Sequence, residues 1–166
     1  MTKDQFLAQC DYFNMVHGVT LRAIGTFTDA DLAFRPAPKA RSPRELIFHM
    51  YKQEAALADG VTRGSFTMEA ANSSNPESEP GATECATLLT VGDARTFADA
   101  CHRGADGAFR AMSEDELNRP VESPFGSYPS WRYFAFAYDE HWHHRGQLYT
   151  YLRLLGKEPP GLYDFQ

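Results

Sequence analysis

"EHWHHRGQLYTYLRLLG", residues 140–156, is the stretch on which the reading of this chain turns. Placed on a helical wheel at roughly 100° per residue, Ala137, His144, Leu148, Tyr151 and Leu155 fall within one narrow arc. That arc is the expected buried stripe of a long helix from about Pro129 to Leu155. Gly156 is its expected C-cap, and Pro159–Pro160 prevent continuation. His144 is therefore the central inward histidine. Glu140 lies about 40° to one side of it and His141 about 60° to the other. His143 points away from the arc and reads as solvent-facing or as an outer neighbour of the site.

Helical spacing recurs in three further segments, and no period-2 alternation stands out. A first helix over Lys3–Gly25 carries Phe6, Cys10, Phe13, His17, Thr20 and Ile24 in steps of three and four, so His17 faces the core. A second opens at "SPRE", with Ser42 as N-cap, Pro43 in the first helical position and Glu45 closing a capping box. Leu46, His49, Met50, Gln53 and Leu57 make one face of it, which turns His49 inward, and Gly60 marks its expected end. A third spans Gly92–Met112, with Phe97, Cys101, Ala105, Ala108, Phe109 and Met112 inward and His102 on the surface. The polar stretch "NSSNPESEPGATE", residues 72–84, reads as a long mobile loop between helices two and three, and "SEDELNRPVESPFGSYPS" as a turn-rich connector. The expectation is an all-α, four-helix bundle forming a single domain over residues 1–166, with a long connection between helices two and three. The closing "GLYDFQ" keeps enough apolar side chains to dock on the body.

Composition narrows the function classes. The 166 residues carry a net charge of -6 and no dense Lys/Arg tract, which speaks against nucleic acid as a partner. No apolar segment is long enough to span a bilayer and the first residues hold no signal core, so the expected setting is cytoplasmic, with no membrane partner. Three cysteines, Cys10, Cys85 and Cys101, without CxxC spacing argue against a disulfide framework or a zinc–thiolate site.

A pair of metal-capable side chains one turn apart is the usual helical half of a metal site in a bundle, and a facing helix supplies the rest. His49 and His144 with a third donor, Glu140 or His141, would leave positions open for water or substrate, as catalytic metals require. That donor set suits Zn, Ni, Mn or Fe as the divalent ion. Hydrogen-bonded core histidines are the plain alternative. Arg145 and Gln147 read as structural hydrogen-bonding residues, and Trp131, Trp142, Tyr138 and Tyr149 as packing.

"HHRGQLYTYLRLLG" (143–156) and "SPRELIFHMYKQE" (42–54) resemble the C-terminal signature and second-helix segment of the DinB-like superfamily, also called the DinB/YfiT-like metalloenzymes. The likeness extends through "LAFRPAP" and the first helix. It implies a four-helix bundle with an unusual connection order, commonly a homodimer, and a metal held by three histidines. One of these matches His49; the other two form an HxxxH pair whose second member matches His144. Here the chain departs: Glu140 stands four residues before His144, and the histidine is displaced to His141. Either Glu140 takes the ligand place, which its spacing favours, or His141 reaches in from i, i+3, or the site is impaired. The resemblance further implies a thiol S-transferase-like or hydrolase-like enzyme acting on a small-molecule electrophile, with a low-molecular-weight thiol or water activated by the metal. The alternative is a non-catalytic, stress-linked metal-binding or interaction bundle with a vestigial site.

Overall fold

The computed structural model describes residues 1–165. Four long helices dominate: α1 (Lys3–Thr26), α2 (Pro43–Arg63), α5 (Val91–Ala111) and α7 (Ser130–Leu154). Between them lie a 3-10 turn at Asp29–Ala33, the short helices α3 (Met68–Ser73), α4 (Gly81–Cys85) and α6 (Glu114–Asn118), and a hairpin of β1 (Pro120–Ser123) and β2 (Gly126–Pro129). The fold is all-α, as the periodicity predicts. The chain order is not a simple meander, because α2 packs between α5 and α7 while α1 packs against the same two helices. Helices one and two are thus diagonal rather than adjacent, and the α2–α7 contact brings the segment around His49 to the segment around His144.

Local chemistry sets the helix ends. At α2 the Glu45 N–H donates to Ser42 Oγ at 3.4 Å and the Ser42 N–H to Glu45 Oε2 at 2.8 Å, so two otherwise orphaned donors are satisfied reciprocally. The same box, Thr90 with Asp93, opens α5. At the end of α7, Gly156 adopts φ 73°, its N–H donates to the Arg153 carbonyl, and the Lys157 N–H donates to the Leu152 carbonyl. The expected end of α2 at Gly60 is one turn short. The helix runs on to Arg63 and stops at Gly64, φ 78°. Gly60 instead makes room: a Cβ there would stand 3.0 Å from the Phe66 ring.

The core runs through the bundle axis. The α1 stripe of Phe6, Cys10, Phe13, His17, Thr20 and Ile24 is buried throughout, as its spacing requires. Phe134 meets Phe6, Phe13 and Phe109 edge-on at centroid distances of 5.0, 5.6 and 5.5 Å. Each such aromatic contributes about 1.5–3 kcal/mol by leaving water. The expected face of α5 is displaced by one residue: Ala94, Ala98, His102, Ala105 and Phe109 are buried, while Phe97 and Cys101 are only half-buried. Small alanines at the contact line let the helices approach closely, and the bulky Phe97 stacks on Phe48 of α2 at 5.5 Å from the flank of that line. Burial pushes all three thiols up, Cys10 and Cys101 to about 12 and Cys85 to about 11, so none is a thiolate at neutral pH.

Two connectors differ from their sequence reading. The 72–84 stretch is not a featureless mobile loop. It carries the end of α3 and most of α4, and it is tied to the bundle by Arg41 to Glu77 at 2.8 Å and by Lys52 to Glu84 at 2.7 Å. The connector before α7 folds into the hairpin, with Val121 opposite Tyr128. Only four residues long on each side, its strands are too short to show alternation. The hairpin is secured by tertiary bonds, Tyr133 Oη to the Val121 carbonyl at 3.0 Å and the Phe66 N–H to the Glu122 carbonyl at 2.8 Å. The C-terminal tail docks on α1, where Phe165 meets Tyr12 edge-on at 5.8 Å; Gln166, the last residue of that expectation, lies outside the described residues. Among the described residues no helix is long and apolar enough to cross a membrane.

Candidate metal centre

Where α2 faces α7, three donors converge: His49, Glu140 and His144, with one ligand atom from each within 4.8 Å of the others. His144 Nε2 lies 3.0 Å and His49 Nε2 3.5 Å from the same oxygen, Glu140 Oε2. The two imidazoles stand nearly perpendicular, at 84°, with centroids 5.0 Å apart. The Glu140 side chain is 38% exposed, while His144 is buried and His49 partly so, so the cluster opens outward on the carboxylate side.

The far nitrogen of each ring explains the orientation. His49 Nδ1 lies 2.7 Å from the backbone carbonyl of Ser74, a group that only accepts, so Nδ1 carries the proton and Nε2 is directed to the cluster. His144 Nδ1 lies 2.6 Å from Gln147 Oε1, one turn on along α7, with the same consequence. Such outer hydrogen bonds, which settle the tautomer and the ring angle, accompany metal-ligating histidines. With no cation between them the two Nε2 atoms engage Glu140 only as N–H donors. Those hydrogen bonds, from His144 and then His49, hold its carboxyl well below the usual carboxylate range against the opposing effect of partial burial, and a cation would replace the two Nε2 protons. Two Nε2 atoms and one ionised carboxylate at these separations fit a divalent ion with N and O ligands near 2 Å, and three protein ligands leave at least one position free.

His141 is placed differently. It is fully buried, and its Nε2 lies 2.9 Å from Glu54 Oε2. Glu54 Oε1 lies 2.8 Å from His102 Nδ1, and His102 Nε2 lies 2.8 Å from Asn14 Oδ1, whose amide nitrogen in turn donates to Asp106. Facing an acceptor at each nitrogen, the His102 ring donates from both and forms an internal ion pair with Glu54. His17 stacks on His102 at 3.9 Å and bonds Tyr51 Oη at 2.9 Å. Burial raises the Glu54 carboxyl, but the His141 charge and the hydrogen bonds from His102 and His141 prevail and hold it at about 2. Burial, then the neighbouring His102, lowers His17 to about 4.

Glu54 escapes the sequence reading, as do Asn14 and the burial of His102. A signal for Glu54 exists: it falls at i+4 from Met50 and i-3 from Leu57, an acidic residue on an apolar stripe. His102 is a correction, since it is 1% exposed and follows from the one-residue displacement of the α5 face. Arg145, too, is buried. Its guanidinium lies 4.1 Å from the Trp142 ring centroid, and its two terminal nitrogens have no hydrogen-bond partner among the described residues, so its contact is cationic stacking rather than the expected hydrogen bonding. His143 is exposed, as its place on the wheel predicts.

A family model for the DinB family matches residues 1–166. The chain belongs to the DinB family. Its fold is similar to the crystal structure of a DinB-like protein, YjoA, from Bacillus subtilis, with a TM-score of 0.71 at 18% identity over 93% of this chain and 95% of that one. It is also similar to the crystal structure of the mycothiol-dependent maleylpyruvate isomerase, with a TM-score of 0.70 at 17% identity over 89% of this chain. This DinB-family chain spans 63% of that enzyme. Among curated proteins no sequence matches it.

Proposed function

We propose that this DinB-family protein is a metal-dependent enzyme in which His49, Glu140 and His144 hold a divalent ion, and that it transfers a low-molecular-weight thiol, or water, to a small electrophile. The observation that carries the reading is the paired tautomer lock: Ser74 and Gln147 each engage an Nδ1, leaving both Nε2 atoms aimed at one ionised carboxylate. A bound Zn, Ni, Mn or Fe ion would supply Lewis acidity and lower the pKa of a coordinated thiol or water. The chain's own part is to hold the carboxylate deprotonated, to keep the two rings in register and to leave the Glu140 side open. Its cysteines are buried or half-buried and held protonated by burial, so in this reading the thiol is a small cosubstrate rather than a side chain. The fold likeness to a mycothiol-dependent enzyme supports the thiol over water. His141 is left out of the ligand set because Glu54 already occupies its Nε2. In keeping with the family resemblance, the working unit is a homodimer.

Metal analysis of protein purified without a nickel column tests the assignment. The expected result is near-stoichiometric metal in the wild type and in His143→Ala, and its loss in His144→Ala. Equal occupancy in both variants overturns it. A panel of small thiols offered with chlorinated and epoxide acceptors then tests the chemistry; a fully metallated protein that turns over none of them would be a metal-binding bundle without this activity.

A further inference from the structure

A cleft of about 410 Å³ opens beside the metal candidate, between the hairpin, the loop after α2 and the outer face of α7. Leu57, Phe66, Phe125, Tyr128, Tyr133 and Phe136 form its apolar walls. The rings brace one another: Tyr128 meets Phe136 at 5.4 Å, Tyr133 meets Phe136 at 5.9 Å and Phe66 meets Tyr133 at 6.2 Å. Its volume lies within the range of small-molecule sites, which are apolar clefts with a few convergent polar groups. Phe125, at the hairpin turn, stays 62% exposed while the Tyr128 hydroxyl donates to its carbonyl at 3.1 Å, so a large apolar ring is held in water at the mouth. The polar end is formed by Gln53, Asp139 and Glu140, and no lysine or arginine lines the cleft. Glu140 therefore belongs both to the cleft and to the three-donor cluster.

We infer that this cleft is the substrate-binding site, and that it takes an uncharged small molecule with an aromatic or branched aliphatic body whose reacting group is delivered to the Glu140 end. The inference rests on the metalloenzyme reading for the chemistry, but the binding itself follows from the cleft. With a divalent ion bound, Glu140 is compensated, but Asp139 stays uncompensated and no lysine or arginine lines the cleft. The second carboxylate of a dicarboxylate therefore meets a like charge and no partner, and dicarboxylates are disfavoured. The aromatic walls supply the affinity, and the carboxylate end sets the direction of binding.

Two probes of one shape separate body from charge: 2-acetylnaphthalene and naphthalene-2,3-dicarboxylate, each titrated into the metal-loaded protein and followed by NMR chemical shifts, with metal content measured in parallel. The neutral ketone should bind and shift resonances of the hairpin and of Tyr133–Glu140, while the dianion leaves them unmoved. Phe125→Ala, an exposed position outside the donor cluster, should weaken the ketone about fivefold to tenfold with metal content unchanged. Asp139→Lys, also exposed, should admit the dianion. Equal binding of both probes, or ketone shifts confined to another face, overturns the inference. A protein that binds the ketone in the cleft yet holds no metal refutes the metal reading and leaves the cleft standing; one that holds metal but not the ketone does the reverse.

Discussion

Around α2 the protein builds two histidine–carboxylate groups from the same residue types: His49 and Glu54 stand five residues apart on α2, and on α7 His141 of the second group falls between Glu140 and His144 of the first. In the first, Glu140 is over a third exposed, and the two histidines spend their Nδ1 atoms on outside acceptors and turn both Nε2 atoms toward it. In the second, Glu54 is 1% exposed, with one oxygen engaged by His102 and the other by His141, and α1 and α5 close over it. The difference lies in what remains unspent. A buried carboxylate whose two oxygens are each engaged by a histidine and closed off from water is a structural pair; a partly exposed one, approached at a single oxygen by two Nε2 atoms, is a place where a cation can replace the Nε2 protons. The residue types do not distinguish them, but the outer hydrogen bonds do.

Substitutions can break the comparison from either side. The largest effect is expected at Glu54→Ala, which strands the His102 and His141 donors in the core; loss of about 3–5 kcal/mol in urea unfolding is expected, as for other broken buried pairs. A variant of near wild-type stability would mean that the closed group is not a structural element.

Acidification should act next, through His17. Its folded pKa of about 4 lies below the ordinary 6.5, so the unfolded chain takes up the proton first. The contribution of neutral His17 is intact above about pH 6.5 and is lost as pH falls toward 4, by up to about 3 kcal/mol. Glu54, held at about 2 against an ordinary 4.5, loses its contribution only below about pH 4.5, so the interval between belongs to His17 and not to Glu54. Thermal unfolding from pH 7 to 4.5 should therefore slope downward in the wild type and flatten in His17→Gln; parallel slopes would remove His17 as the cause.

The open group should respond in metal affinity rather than in stability. Gln147→Leu removes the acceptor of His144 Nδ1 and should weaken metal binding about 10-fold to 100-fold in a chelator competition. Unchanged affinity would count against the tautomer lock. The smallest expected change is the stability of Glu140→Gln, within about 1 kcal/mol of wild type because the side chain is substantially solvated, while its metal content falls sharply. A loss as large as that at Glu54 would make the open group structural as well.

Much of this was legible in the chain itself. "SPRE" announces its capping box, the steps of α1 place every buried side chain of that stripe, and the wheel through 137–155 turns His144 inward and His143 out. The failures share a cause. Gly60 reads as a stop because Phe66, six residues on, packs against it, and six residues on is outside any helical period. His102 reads as surface because the face of α5 is defined by which alanines touch α2, not by where its largest side chains lie. The hairpin is invisible because its strands are secured by Tyr133 and Phe66 rather than by alternation.

Periodicity alone established four long helices and which faces they bury, since the 3.6-residue repeat and the capping bonds act over a few neighbours. It also put His49 and His144 on inward faces and Glu140 and His141 on either flank. What each inward histidine meets was settled only by the packing. The diagonal placement of α1 and α2 sets Glu54 against His141 and His102, and the turn at Ser74 fixes the ring of His49. Glu140 is left with the open side of the cluster, because its side chain, at the mouth of the aromatic cleft, is the most exposed of the three donors. Local rules choose a face; partners separated by 87 residues of chain, as His141 and Glu54 are, are chosen by the fold.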